Sequence, residues 1–327
     1  MNIKLHIKNT IRPTRNVLCA LLGFAYDFSR YARYGGWRGR RDSRKRDYKA
    51  VKTYHRLEKS LSFRERRQGS GWSAAGDLVR LLDRSAFDTA TLGYHEVVGV
   101  KVLRDFVASA AGSGTPRPDV SAFLERTTLA PTEGGVIGLS AKDLLVGRLH
   151  DPERFFLSRH SVRDFKPVPV PHELVHRAVR LAMKAPSVCN RQAWHVYHLD
   201  RRESIDCALK WQNGNRGFGH EVPCLLIVTA DLSAFDTHGE RAQHWIDGGM
   251  FAMSLVWALH SLGLASCCLN WSRGPLDDLR LRKAVAISAA HTVIMMMAVG
   301  YASDELKVCY SARRPMQSIL THLDASP

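Results

Sequence analysis

Apolar side chains recur every three to four positions between about residues 72 and 110, at Leu78, Leu81 and Leu82 and then at Val97, Val98, Val102, Leu103 and Phe106. That period predicts helices with one buried face. "AGSGTPRPD" at 111–119 breaks the pattern and reads as a loop, and weakly patterned sequence follows to about 150. Beyond 151 the periods alternate. "PHELVHRAVRLAMKAP" carries Leu174, Ala178, Leu181 and Ala182 on one helical face, with Pro171 at its start and Pro186 as its stop. Short apolar runs then predict strands: "WHVYHL" from 194, "CLLIVTA" from 224, "SCCLNW" from 266 and "TVIMMMAVGY" from 292. Between the second and third lies "DGGMFAMSLVWALHSLGL", helical in composition and apolar nearly all round. Such a helix belongs in the middle of a domain or in a subunit interface. Helices packed on a sheet give an α+β or α/β architecture.

A chain of 327 residues, 45% hydrophobic, is long enough for one large core or two modest ones. Three zones follow: a basic, aromatic-rich segment over 1–70, a helical extension and linker over 71–150, and the alternating region over 151–327. The net charge of +16 is unevenly spread. Residues 1–67 hold 19 Lys/Arg against 5 Asp/Glu, while the rest holds 28 against 26. The basic character therefore belongs to the N-terminal segment.

Seven cysteines without C-x-x-C spacing read as reduced thiols, several packed as small hydrophobes. The apolar stretch "VLCALLGFAY" has about ten residues, half of the about 20 that a bilayer span needs, and no export is expected. "HGERAQH" departs from H-E-x-x-H, so no metal site is expected; the methionines 295–297 and the Cys267–Cys268 pair read as strand core. No P-loop and no G-x-G-x-x-G after a strand is present, which removes the ordinary dinucleotide-binding fold.

Two stretches carry candidate chemistry. "SRHSVRDF" at 158–165 sets Arg159 and Arg163 about Ser161, a combination able to hold a phosphate. "APSVCNRQAW" at 185–194 lies between a predicted helix and a predicted strand, with Ser, Asn and Gln able to read a polar ligand edge. Each alone is ordinary surface or an ordinary turn. Together, in this order, they resemble the opening of the FMN-dependent nitroreductase family. "DGGMFAMSLVWALHSLGLASC" is similar to that family's central helix and next strand, and "VGYASDELKVCYSARRPMQSIL" to its last strand and arginine-bearing tail. The resemblance covers about residues 150–322.

The resemblance implies a nitroreductase-like α+β fold, a central mixed sheet flanked by helices, dimeric, here with a basic helical N-terminal extension. It implies FMN as cofactor and NADH or NADPH as co-substrate, with ping-pong hydride transfer to an unidentified small-molecule acceptor. The flavin carries the chemistry, so no protein nucleophile is implied. Arg159 and Arg313 would meet the phosphate, with His160 and Ser161 beside them, and Arg163 would lie toward the pyrimidine side of the ring. Pro186, Ser187, Asn190 and Gln192 match the turn that holds ring and ribityl chain. Asn215 falls where the family supplies a polar ring contact, and Ser272 and Gly274 belong to "NWSRG", which would supply the backbone donor to the flavin. Two positions depart from the family. Ala193 replaces a proline, and Ser311 stands where many relatives have a second basic residue.

The N-terminal segment reads three ways: an interfacial helix on an anionic membrane, a nucleic-acid contact, or an arm around a partner subunit. Nucleic acid is the least favoured. "KTYHRLEKSL" at 52–61, with "RRQGSGW", resembles nitroreductase-like proteins associated with bacterial polysaccharide biosynthesis. The implied location is cytoplasmic, peripheral on the inner face of the membrane. The alternatives are a membrane-docked binding or scaffold protein with a vestigial flavin site, or a different flavin chemistry such as reductive dehalogenation.

Overall fold

The structure, a computed structural model, describes residues 3–38, 42–65, 69–88, 92–110, 117–128 and 132–323. Residues 111–116 of the expected loop, 39–41 of the arginine cluster and 66–68 of the "RRQGSGW" segment lie outside these. Five helices come first: α1 (Ile3–Tyr34), α2 (Ser43–Ser62), α3 (Trp72–Asp88), α4 (Tyr94–Ala110) and α5 (Pro118–Arg126). Asp42 starts α2 by accepting from the backbone N–H of Lys45, a side-chain N-cap. The short helices α6 (Ala141–Leu145) and α7 (Pro152–Leu157) carry the chain across to the second half. There follow α8 (His172–Ala182), β1 (Trp194–Leu199), α9 (Arg202–Leu209), β2 (Cys224–Asp231), α10 (Gln243–Ser261), β3 (Ala265–Asn270), α11 (Pro275–Ala284) and β4 (His291–Gly300).

The four strands form one sheet in the order β1-β2-β4-β3, every neighbouring pair antiparallel. The expected mixed character is confined to one parallel bridge, Ser161 to Ser266, outside the named strands. Strand side chains alternate between faces. On β2, Leu226, Val228 and Ala230 join a core with α8 and α10, whereas Leu225 and Ile227 join another that holds Val162, Phe165, Ile205 and Leu281. β2 and β4 are covered on both faces, which explains their unbroken apolar runs. Gly248 lets α10 sit close on the sheet: a Cβ there would lie 2.5 Å from Ile294. The opposite side of α10 leaves Trp245, Ile246, Met250 and Met253 exposed, so the helix that reads as apolar all round is covered on one side only within the chain.

The N-terminal helices have a core of their own. Val51, Tyr54 and Leu57 of α2 pack with Leu78 and Leu82 of α3, Leu103 and Phe106 of α4 and Val120 and Phe123 of α5. Helices on both sides of residue 70 therefore share one core. A small seam cluster of Tyr31, Ala193, Leu232, Ala234 and Phe235 joins this unit to the sheet domain. Its polar contacts are specific: Tyr26 Oη donates to Asp278 at 2.6 Å, Arg30 Nη2 to the carbonyl of His291 at 2.6 Å, and Tyr31 Oη to the carbonyl of Thr237 at 2.8 Å. Gly36 approaches so closely that its N–H reaches the Phe235 carbonyl at 2.8 Å, and a Cβ would meet the Ser233 carbonyl at 2.7 Å.

Candidate functional site

Val162 and Phe165 are buried in the sheet domain and anchor the segment from Arg159 to Lys166. The Val162 N–H donates to the Ser266 carbonyl at 3.1 Å, which lays Ser161 beside β3. Arg159 is half-buried with its guanidinium 5.8 Å from the Trp257 ring centroid, while His160 and Arg163 are exposed. After β4 the chain returns along this segment. Phe165 bridges to Ala302, Lys166 Nζ pairs with Asp304 at 2.5 Å, and Arg163 Nη1 lies 3.8 Å from Cys309 Sγ. The tail that bears Ser311 and Arg313 is thus tied to the Arg159–Arg163 segment. Both tail residues are exposed; Ser311 has a left-handed φ of 54°, and its carbonyl accepts from Arg313. Arg159 and Arg163 on the segment, and Arg313 on the tail tied to it at Cys309, are fork-shaped cationic donors.

The second motif sits elsewhere. After α8, the turn from Ser187 to Gln192 has three residues other than glycine at positive φ: Cys189 at 51°, Asn190 at 54° and Gln192 at 52°. Left-handed backbone costs such residues on the order of 1 kcal/mol or more each, so the surroundings must hold it. Ser187 Oγ accepts from the Gln192 N–H at 3.0 Å, and the Asp247 carboxylate accepts from the Val188 N–H at 3.2 Å. Arg191 is 0% exposed; its Nη1 donates to the Ala234 carbonyl at 2.5 Å and to Glu240 at 3.2 Å. Lys52 of α2 lies 3.5 Å from Glu240 and also pairs with Asp236. Burial would raise the Glu240 carboxyl, but the Arg191 hydrogen bond and the charges of Arg191 and Lys52 outweigh it, taking it down to about 2. Pro186 and Asn190 remain exposed on the outer side of this braced turn.

The remaining predicted positions are separate again. Asn215 Nδ2 donates to the Leu209 carbonyl at 2.7 Å and the Gln212 carbonyl at 3.2 Å, so its amide nitrogen closes the turn after α9 and only Oδ1 is left for a ligand. Gln212, which had not been singled out, links that turn to the 270–274 segment by donating to the Asn270 carbonyl at 3.0 Å. Ser272 Oγ accepts from Asn270 Nδ2 at 2.9 Å, and Gly274 caps the start of α11.

Within the chain the two motifs occupy opposite corners of the sheet. Ser161 lies outside β3, level with Val299 of β4, whereas Gln192 precedes β1, whose Trp194 is level with Ala230 of β2 and so with Thr292 of β4. With about 3.3 Å of rise per residue and about 4.8 Å between strands, they stand roughly 30–35 Å apart. No side chain spans that distance. Arg191, Glu240 and Asp247 were not anticipated. Their signal was present in the sequence, as charges embedded in the turn motif and at the head of an apolar helix.

An antiparallel α+β domain carrying an arginine-rich edge and a braced left-handed turn is the class defined so far. Comparison with known proteins makes it particular. The profile of the nitroreductase family matches residues 157–210 and 202–301, and this region is similar to nitroreductase-family domains. The chain is 23% identical to an NADH dehydrogenase of Thermus thermophilus over 47% of its own length and 88% of that protein. It is 25% identical to the nitroreductase NfnB of Mycolicibacterium smegmatis, over 48% and 85% respectively. Among solved structures, an FMN-dependent nitroreductase of Clostridium difficile aligns with 52% of the chain and 98% of its own at a TM-score of 0.45 and 20% identity.

Proposed function

We propose that the protein is an FMN-dependent NAD(P)H oxidoreductase that works as a homodimer. The observation that carries this reading is the family match over residues 157–301, which contains both motifs. The donor set fits FMN: Arg159 and Arg313 suit a dianionic phosphate, and Ser161 adds a hydroxyl. From the other corner Pro186, Ser187, Asn190 and Gln192 would receive the ring and ribityl chain, with the left-handed turn keeping Asn190 outward. When bound, FMN supplies hydride acceptance from NAD(P)H and electron release to an acceptor. The chain's own part is orientation and electrostatics. Arg163 would offset negative charge on the pyrimidine side, and an amide of 270–274 would donate to the ring. Because the two half-sites lie at opposite corners, a two-fold copy would complete each, and the uncovered side of α10 supplies apolar surface for that contact. Asn215 would contribute through Oδ1 alone.

The absorption spectrum of the purified protein tests this. Flavin bands that bleach on anaerobic addition of NADH or NADPH, in a particle of twice the chain mass, are expected. A colourless protein that stays colourless after incubation with FMN overturns the reading and favours a scaffold with a vestigial site. The acceptor is a small molecule; a role in surface-polysaccharide synthesis rests on the resemblance at 52–61, and loss of surface polysaccharide in a deletion strain checks it.

α1 supports a peripheral location on an anionic membrane. Val17, Leu18, Leu21, Leu22, Phe24 and Phe28 are 57–72% exposed and share one side of the helix. No described helix is long and apolar enough to cross a membrane. The surrounding segment is strongly basic. Each Lys or Arg near an anionic leaflet contributes about 1 kcal/mol, whereas a second copy of α1 would bring like charge to like. The full chain should float with phosphatidylglycerol-containing vesicles and not with phosphatidylcholine alone, and Leu21→Glu with Phe28→Glu should abolish flotation. Flotation unchanged by these substitutions, or a change of oligomeric state in their place, removes the membrane contact.

A further inference from the structure

α2 and α3 face each other across a cavity of about 760 Å³. Lys45, Lys49, Lys52 and Arg56 follow one another at helical spacing along α2, and Arg80 and Arg84 oppose them from α3, so two basic stripes meet across one space. Among the described residues, two carboxylates line it, Asp77 and Asp236. Asp77 pairs with Arg56 at 3.2 Å and Arg80 at 2.5 Å, tying the walls together, and Asp236 is engaged by Lys52. Lys45 Nζ is held by the carbonyls of Gly35 and Arg38, each at 3.0 Å. Lys49 and Arg84 have no carboxylate within ion-pair distance among the described residues. Like charges gathered in a concave site raise the local potential and concentrate anions there.

We propose that this cavity binds a small molecule bearing a pyrophosphate group. Several cations converging on one space match clustered charge better than a single carboxylate, and arginine forks together with lysine points are the donor set that phosphates select. Trp37 lines the same cavity at 39% exposure, packed edge-on to Tyr31 at 4.5 Å between centroids, and offers a flat surface for the organic part of the ligand. The pyrophosphate could be borne by a soluble molecule or by a lipid headgroup. The site is independent of the flavin reading, since its cationic walls belong to the N-terminal unit.

Calorimetric titration of the full chain, with its flavin content fixed, uses sodium pyrophosphate as the probe and orthophosphate as the control. Saturable binding with one pyrophosphate per chain is expected, weakened at least about tenfold in Lys49→Glu/Arg84→Glu and at least about tenfold weaker for orthophosphate. Both side chains are exposed, so the variant should keep its melting temperature and visible spectrum. Displacement of pyrophosphate by anionic vesicles, lost in the same variant, assigns the group to a lipid; absence of displacement assigns it to a soluble molecule. No saturable binding to the unaltered protein, or binding that the double variant retains, overturns the proposal.

Discussion

The two halves of the chain use charge in opposite ways. In the helical half, basic stripes of α2 and α3 face a common cavity with few carboxylates to answer them. In the sheet half, two buried arginines are matched: Arg191 with Glu240, and Arg282 with Asp278 at 2.6 Å. A cluster with more cations than carboxylates keeps potential available to an outside anion, whereas a matched buried pair fixes geometry and is costly to open. The first arrangement suits recognition. The second suits holding a strained turn in place.

Breaking a matched pair should have the largest effect. Arg191→Ala leaves Glu240 without its fork and releases the left-handed turn, so a loss of about 3–5 kcal/mol in urea unfolding is expected, together with loss of flavin colour. Leu57→Ala opens the fully buried core of the helical unit and should destabilise it by about 2–5 kcal/mol. If the halves unfold separately, that variant shows an early transition by circular dichroism while flavin absorbance persists; a single coincident transition means that the seam couples them.

Acid should divide the halves again. Burial lowers His244 and His291 of the sheet half to about 4 each, below the ordinary 6.5. The native state then binds fewer protons than the unfolded chain between those values, so stability falls as pH drops from about 7 toward 4. At about 1.4 kcal/mol per unit, roughly 2 kcal/mol per residue is lost by about pH 5. In the helical half, burial lowers His95 to about 4 but raises the Asp47 carboxyl from 3.8 to about 6. Asp47 gains stability as pH falls through about 6 and opposes His95. Melting curves at pH 7 and pH 5 should show the larger decline in the sheet half. The smallest effect belongs to Lys166→Ala, which removes an exposed pair with Asp304 and should change stability by less than about 1 kcal/mol.

The strands were legible in the sequence because each is a short apolar run with clear ends, and α8 because two prolines bound it, although its buried face is Val175, Ala178 and Ala182 and the expected Leu181 is 49% exposed. The motif residues were legible as chemistry, but their separation was not, since a linear order says nothing about which edge of a sheet a segment meets. α1 was the main surprise. Its apolar stretch of about ten residues sits inside a helix of 32 residues that runs through Pro13, a continuation that local patterning does not predict. The core shared by α2 to α5 was hidden for a similar reason: the basic stripe on α2 obscures the apolar face formed by Val51, Tyr54 and Leu57. Arg191 was overlooked because an arginine in a turn ordinarily faces water.

Half-sites at opposite corners also bear on inheritance. In a dimer built as proposed, each ligand site draws Arg159 from one copy and Asn190 from the other. A copy crippled at Arg159 and a copy crippled at Asn190 are each inactive alone, yet their mixed dimer concentrates both lesions in one site and leaves its twin intact. Two defective alleles of such a gene would complement each other within a single cell.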